Sequence, residues 1–276
     1  MRREYEAAIG RLITNYTAMA LFLSNPGEFF KDYMLDPDER ENILSMKGQL
    51  SGMCVSFSGK HKRNLKRHIA RSVSLMGNYG EILLQRYVNL YPPIGDYFAE
   101  HEALVNFFQQ ALSSVEQIDN LTLVKNVLRL ETALFRSLRS VVPGEELEHI
   151  NDPEPEWAIV VQEGTKLIVR NGVFYGLYEY NLAEIVQLNT DELASLEPQQ
   201  TALIVLRHFG EVTNTLMRVS PTVLRALDIL KRGTTVKAAA SVLAEESNTD
   251  RDTTLENLMK LARHLCSQQI LIEVKE

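Results

Sequence analysis

Six histidines, His61, His68, His101, His149, His208 and His264, give this chain its widest choice of acid–base and metal chemistry. A zinc or iron site usually announces itself by a second ligand within one helical turn or across a tight loop. None of these histidines has a second His or Cys three or four residues away, and neither HExxH nor CxxC occurs. His101 and Glu102 alone do not make a ligand set. His61 and His68, seven apart, could share a helix face, but the cations around them would repel a divalent ion. Cys54, in a glycine-bearing stretch, reads as an unpaired buried thiol rather than a reactive one, and Cys266 reads as core. GxGxxG, GxxxxGK[ST] and GxSxG are absent. Glu131, near Arg129 and Arg136, reads as charge pairing on a helix surface. Nothing here argues for catalysis by this chain alone.

The densest charge is KHKRNLKRHIAR, residues 60–71, with six Lys or Arg and no acid. Leu65, Ile69, Val73 and Met76 still supply an apolar stripe, so a solvated helix face accounts for it. The sharper alternative is a docking surface for an acidic partner or nucleic acid. Basic residues near a helix N-terminus oppose its dipole, which hints at another use for them.

These side chains need a scaffold, and 276 residues suffice for one large or two ordinary domains. The apolar fraction of 45% and charged fraction of 24% are those of a soluble globular protein. No membrane-spanning or signal-like apolar run appears, and two distant cysteines point to a reducing cytoplasm. Residues 1–150 hold 17 basic and 18 acidic side chains; the remainder hold 12 and 18. So acidic a second half is a poor grip on phosphates, making nucleic acid an unfavoured partner.

Residues 4–24 show helical period, ended by Asn25-Pro26. GEFFKDYM reads as a second short helix, and DPDERENILSM as a third, capped by Asp36 with Pro37 at its first position. KGQLSGMCVSFSG reads as loop, and residues 60–90 as one long helix stopped by Pro92-Pro93. Two amphipathic helices follow, GDYFAEHEALVNFFQQAL with Phe98, Leu104, Phe107, Phe108 and Leu112 inward, and IDNLTLVKNVLRLETALFRSLRSVV. Short loops between them predict an antiparallel bundle. Pro143-Gly144 and EELEHINDPEPE read as a linker. From Trp157 the period changes to two. WAIVVQ, TKLIVR and GVFYGLYEY, parted by Glu163-Gly164 and Asn171-Gly172, predict a three-stranded meander, NLAEIVQLN a further strand, and TDELASLEP a helical turn.

The last third predicts a hairpin (TALIVLRH and EVTNTLMRV), three short helices started by Ser220-Pro221, Thr234 or Thr235, and Asp250 or Asp252, then a returning strand, ILIEV. That is a winged helix-turn-helix pattern. The predicted fold is therefore α+β: an N-terminal helical domain, 1–150, then a β-meander with a winged-helix domain, 151–276.

Residues 201–274 resemble the PqqD-like peptide-recognition element of ribosomal-peptide biosynthesis. Tyr91-Pro92, Tyr97-Phe98 and Leu128-Arg129-Leu130-Glu131-Thr132-Ala133-Leu134 resemble the helical half of partner proteins of multinuclear non-haem iron-dependent oxidative enzymes, including those of 3-thiaglutamate pathways. The resemblance implies a non-catalytic, cytoplasmic subunit that binds a precursor's leader peptide and presents a cysteine to a barrel-shaped iron enzyme. The helical half would dock that enzyme, which would hold the iron; this chain would carry no cofactor. The leader would add as a strand beside Glu211–Val219, contacting Val212, Asn214, Leu216 and Arg218, under a helix offering Glu256, Met259, Lys260, Arg263 and His264. A winged-helix transcription regulator is the competing class, its third helix carrying Arg251, Lys260 and Arg263 against Asp252 and Glu256.

Overall fold

The computed structural model describes residues 2–115, 118, 120–140 and 160–274, a mixture of helices and small antiparallel sheets. The chain divides into two compact units, Met1–Leu128 and Arg129–Glu276. The linker and Trp157, which fall between 141 and 159, lie outside the described residues.

In the first unit local capping divides what periodicity joined. Asn15 takes an extended conformation and its side chain accepts from the Ala18 N–H, so residues 4–24 form two helices, α1 (Arg2–Thr14) and α2 (Tyr16–Ser24). Asn25 caps α3 (Pro26–Phe30) in the same way. Asp36 and Glu39 exchange hydrogen bonds in a capping box that starts α4 (Pro37–Ser45).

The stretch 47–59 is not loop. It opens the twenty-residue α5 (Lys47–Lys66), where buried Leu50, Cys54, Ser58, His61 and Leu65 recur on one stripe. That packed stripe outweighs a glycine cost of about 1 kcal/mol per residue. Nor is 60–90 one helix: α6 (Ala70–Leu75) and α7 (Asn78–Leu90) are parted at Gly77, where φ is +55°. Gly80 lets the two helices close up, since a methyl there would sit 2.5 Å from the Val73 carbonyl oxygen. Asp96 caps α8 (Tyr97–Ser113), followed by α9 (Leu121–Arg139). Phe98, expected inward, is 45% exposed; Leu104, Val105, Phe108 and Leu112 form the buried face.

The second unit takes the end of α9 and then β1 (Leu167–Val169), β2 (Phe174–Tyr180), α10 (Thr190–Ala194), β3 (Pro198–Arg207), β4 (Asn214–Val219), α11 (Pro221–Leu230), α12 (Val236–Ser247), α13 (Arg251–Ser267) and β5 (Leu271–Glu273). Ser220, Thr235 and Asp250 each cap the helix that follows, and Gly233, at φ +70°, ends the turn after α11.

The predicted meander does not form. β2, β3 and β4 make one antiparallel sheet in that order, while β1 pairs antiparallel with β5, Ile168 opposite Ile272. The cause lies at Arg170, which is 2% exposed. Its main-chain N–H donates to the Ile270 carbonyl, and its guanidinium donates to the carbonyls of Gln269 and Arg207. Held there, the chain turns at Gly172 (φ +82°) into the other sheet. NLAEIVQLN is a series of turns, not a strand, with Leu182 and Ile185 buried.

β3 is buried on both faces. Ala202, Ile204 and Leu206 meet Leu227, Leu230, Ala239, Leu258, Ala262 and Leu265 from the three helices. The opposite face carries Leu203 and Val205, and across it the end of α9 bonds to both neighbouring strands: Arg129 donates to the Leu177 carbonyl and Asn214 to the Leu134 carbonyl.

Candidate functional site

A three-stranded sheet has two edges, and here they differ. On β2 the pairing with β3 shifts between Tyr178 and Tyr180, a bulge that twists an edge away from partners. Its Leu177 carbonyl accepts from Arg129 Nη2 at 2.6 Å, and the guanidinium lies 4.2 Å over the Tyr178 ring. β4 has none of these blocks. Its register with β3 is unbroken from Asn214–Arg207 to Val219–Ala202. It contains no proline and one charged residue, Arg218. Among the described residues no strand pairs along its outer side.

The strand is shorter than Glu211–Val219. Glu211 N–H donates to the His208 carbonyl, Arg207 Nη1 donates to the Glu211 carbonyl, and Gly210 sits at φ +75°. Val212 therefore lies in the turn, 83% exposed, rather than on the edge.

The proposed strand positions also fall on the other face from the helix positions. Asn214, opposite Arg207, donates from Nδ2 to the Leu134 carbonyl at 2.7 Å. Leu216 and Arg218, opposite Val205 and Leu203, share that α9 side by alternation. Met217 and Val219 pack instead on the core built by the three helices. The positions that share a face with α13 are thus Thr215, Met217 and Val219. The signal was available in the sequence: β3 shows its helix-facing residues, and cross-strand register transfers that parity to β4.

On α13, Met259 is half-buried against the helix core. Glu256 and Lys260 are exposed and joined by a 2.6 Å ion pair, which lowers the Glu256 pKa. Arg263 is exposed and Nη2 donates to the Val161 carbonyl at 3.4 Å, and His264 is exposed in the last turn. Leu258 and Leu261 face a cleft of about 590 Å³ between α11, α12 and α13, with Arg225 and Glu246 bonded across its rim.

Both cysteines are buried. Burial raises the Cys54 thiol pKa against a hydrogen bond from Ser58, and pushes the Cys266 thiol up to about 11. No three His, Cys, Asp or Glu side chains converge as a metal-binding group among the described residues. Nor is any described helix long and apolar enough to cross a membrane.

In comparison with known proteins, no family model matches this chain and no curated protein matches its sequence.

Proposed function

We propose that this chain is a non-catalytic partner subunit. It captures a ribosomally made precursor peptide and presents a cysteine of it to a barrel-type multinuclear iron oxidative enzyme. The observation that carries this is the outer side of β4, unbulged and, among the described residues, unpaired, beside a β2 edge that is blocked. Regular edges of this kind pair with a second chain unless something prevents it. A leader laid along β4 gains main-chain hydrogen bonds, with alternate side chains directed to the two faces of the sheet. The order of α11, α12, α13 and β5 supports a winged-helix arrangement in which α13 is the third helix. The iron belongs to the partner enzyme, so this chain's role needs no metal ligand of its own.

Calorimetric titration of the full chain with the precursor peptide encoded beside its gene tests this. Successive N–H groups of a strand point to opposite sides. Of Thr215→Pro and Leu216→Pro, one removes a bond to β3 and the other only an outward donor. The variant that keeps the wild-type melting temperature should lose the peptide; if it binds as wild type, the assignment fails. Binding of duplex DNA that weakens steeply with salt would instead favour a transcription regulator.

A further inference from the structure

Unit one holds a second site that peptide capture does not use. α5 places Phe57, Lys60, His61 and Asn64 on one stripe, at i, i+3, i+4 and i+7, facing Pro93, Gly95, Tyr97 and Glu100 across a pocket of about 300 Å³. At its base His61 Nε2 lies 2.5 Å from Glu100 Oε1. The two residues are 7% and 6% exposed. A polar pair this buried stabilises a helix interface no better than an apolar pair of equal volume. Neither His61 Nδ1 nor the second Glu100 oxygen is among the buried polar atoms that lack a partner, as suits groups that line a pocket.

The surrounding charge sets the sign of the ligand. From residue 42 to residue 80 the chain carries seven Lys or Arg and no Asp or Glu, in a protein of net charge −7. Glu81 engages Lys62 and Lys66, and Glu100 engages His61. Lys60, on the pocket wall, has no ion pair among the described residues. The one carboxylate in the pocket is thus already hydrogen-bonded, while an ammonium and the Asn64 amide remain to receive an anion. Phe57 and Pro93 offer an apolar wall beside them.

We propose that this pocket binds a carboxylate carried on a small apolar body. Lys60 pairs with the carboxylate, Asn64 donates to it, and His61, oriented by Glu100, closes the base. A free organic acid and the C-terminus of a peptide share this chemistry.

The test is calorimetric titration of the full chain with two probes: hippurate, and N-acetyl-Ala-Ala-Phe as free acid or as C-terminal amide. Hippurate or the free-acid peptide should bind, and the amide about tenfold or more weakly than the acid, the worth of one charge-assisted hydrogen bond. Binding of hippurate alone identifies a free acid, and binding of both admits a chain terminus. Lys60→Met, on the exposed side of α5, should reduce binding about tenfold with an unchanged melting temperature. Asn64→Leu serves as a second variant with the same expected loss. Equal affinity for acid and amide, undiminished binding by both variants, or no binding of either acid overturns the proposal. None of these outcomes depends on β4.

Discussion

Asn214 Nδ2 donates to the main-chain carbonyl of Leu134, 2.7 Å away and 80 residues earlier in the chain. The first residue of the edge strand is thereby fastened to α9, so the hairpin β3–β4 is anchored at its turn end. Asn214→Ala should lower stability by about 1 kcal/mol, the net worth of one such bond. Urea denaturation of the full chain measures it. A change near zero would mean that the hairpin holds its place without this bond.

Arg170 carries a heavier load. Its guanidinium is buried and donates to carbonyls on either side, those of Gln269 and Arg207. Arg170→Met fills similar space but leaves both acceptors without their donor. A loss of about 3 kcal/mol follows, read as a lower melting temperature.

Gly176 and Arg129 form a coupled pair. A methyl at Gly176 would overlap the Arg129 guanidinium, which is bonded to the Leu177 carbonyl and stacked on Tyr178. Gly176→Ala and Arg129→Ala should each destabilise by about 1–2 kcal/mol, and the double variant by clearly less than their sum. Strict additivity in a double-mutant cycle would show that the two do not interact.

The thiols give a pH prediction. Cys266 ionises near 11 in the folded chain against an ordinary 9.0, because burial penalises its thiolate. The fold retains a proton that the unfolded chain releases. The stabilising contribution is therefore present below about pH 9 and is lost as pH rises towards about 11. Alkylation by iodoacetamide at about pH 8 should be slow for both Cys54 and Cys266, and fast once denaturant is added.

Much of the architecture was legible because short-range chemistry decided it. Ser220-Pro221, Thr235, Asp250 and Asp36 start helices in the structure for the reason their side chains suggested: each accepts a hydrogen bond from an N–H of the first turn. What escaped was decided at long range. The glycines of 47–59 suggested loop, yet a stripe from Leu50 to Leu65 packs the segment as helix. Asn171-Gly172 suggested a hairpin, but the partner of β1 is β5, a hundred residues on. In the candidate site the edge strand was found and its parity missed, because Asn214 and Leu216 look as suited to a groove as Thr215 and Met217 do. The pairing of His61 with Glu100 was hidden by their sequence separation of 39.

The pairing of Lys166–Val169 with residues at 271–274, alongside the bridge from Lys166 to Thr235, has a kinetic corollary. During synthesis β1 waits without its partner until residue 273 has left the ribosome, while Arg170 has no Gln269 carbonyl to meet. Loops of that length close slowly. The nascent second unit thus spends its translation as an incomplete body, exposed to chaperones and proteases, and becomes whole only as its final strand arrives.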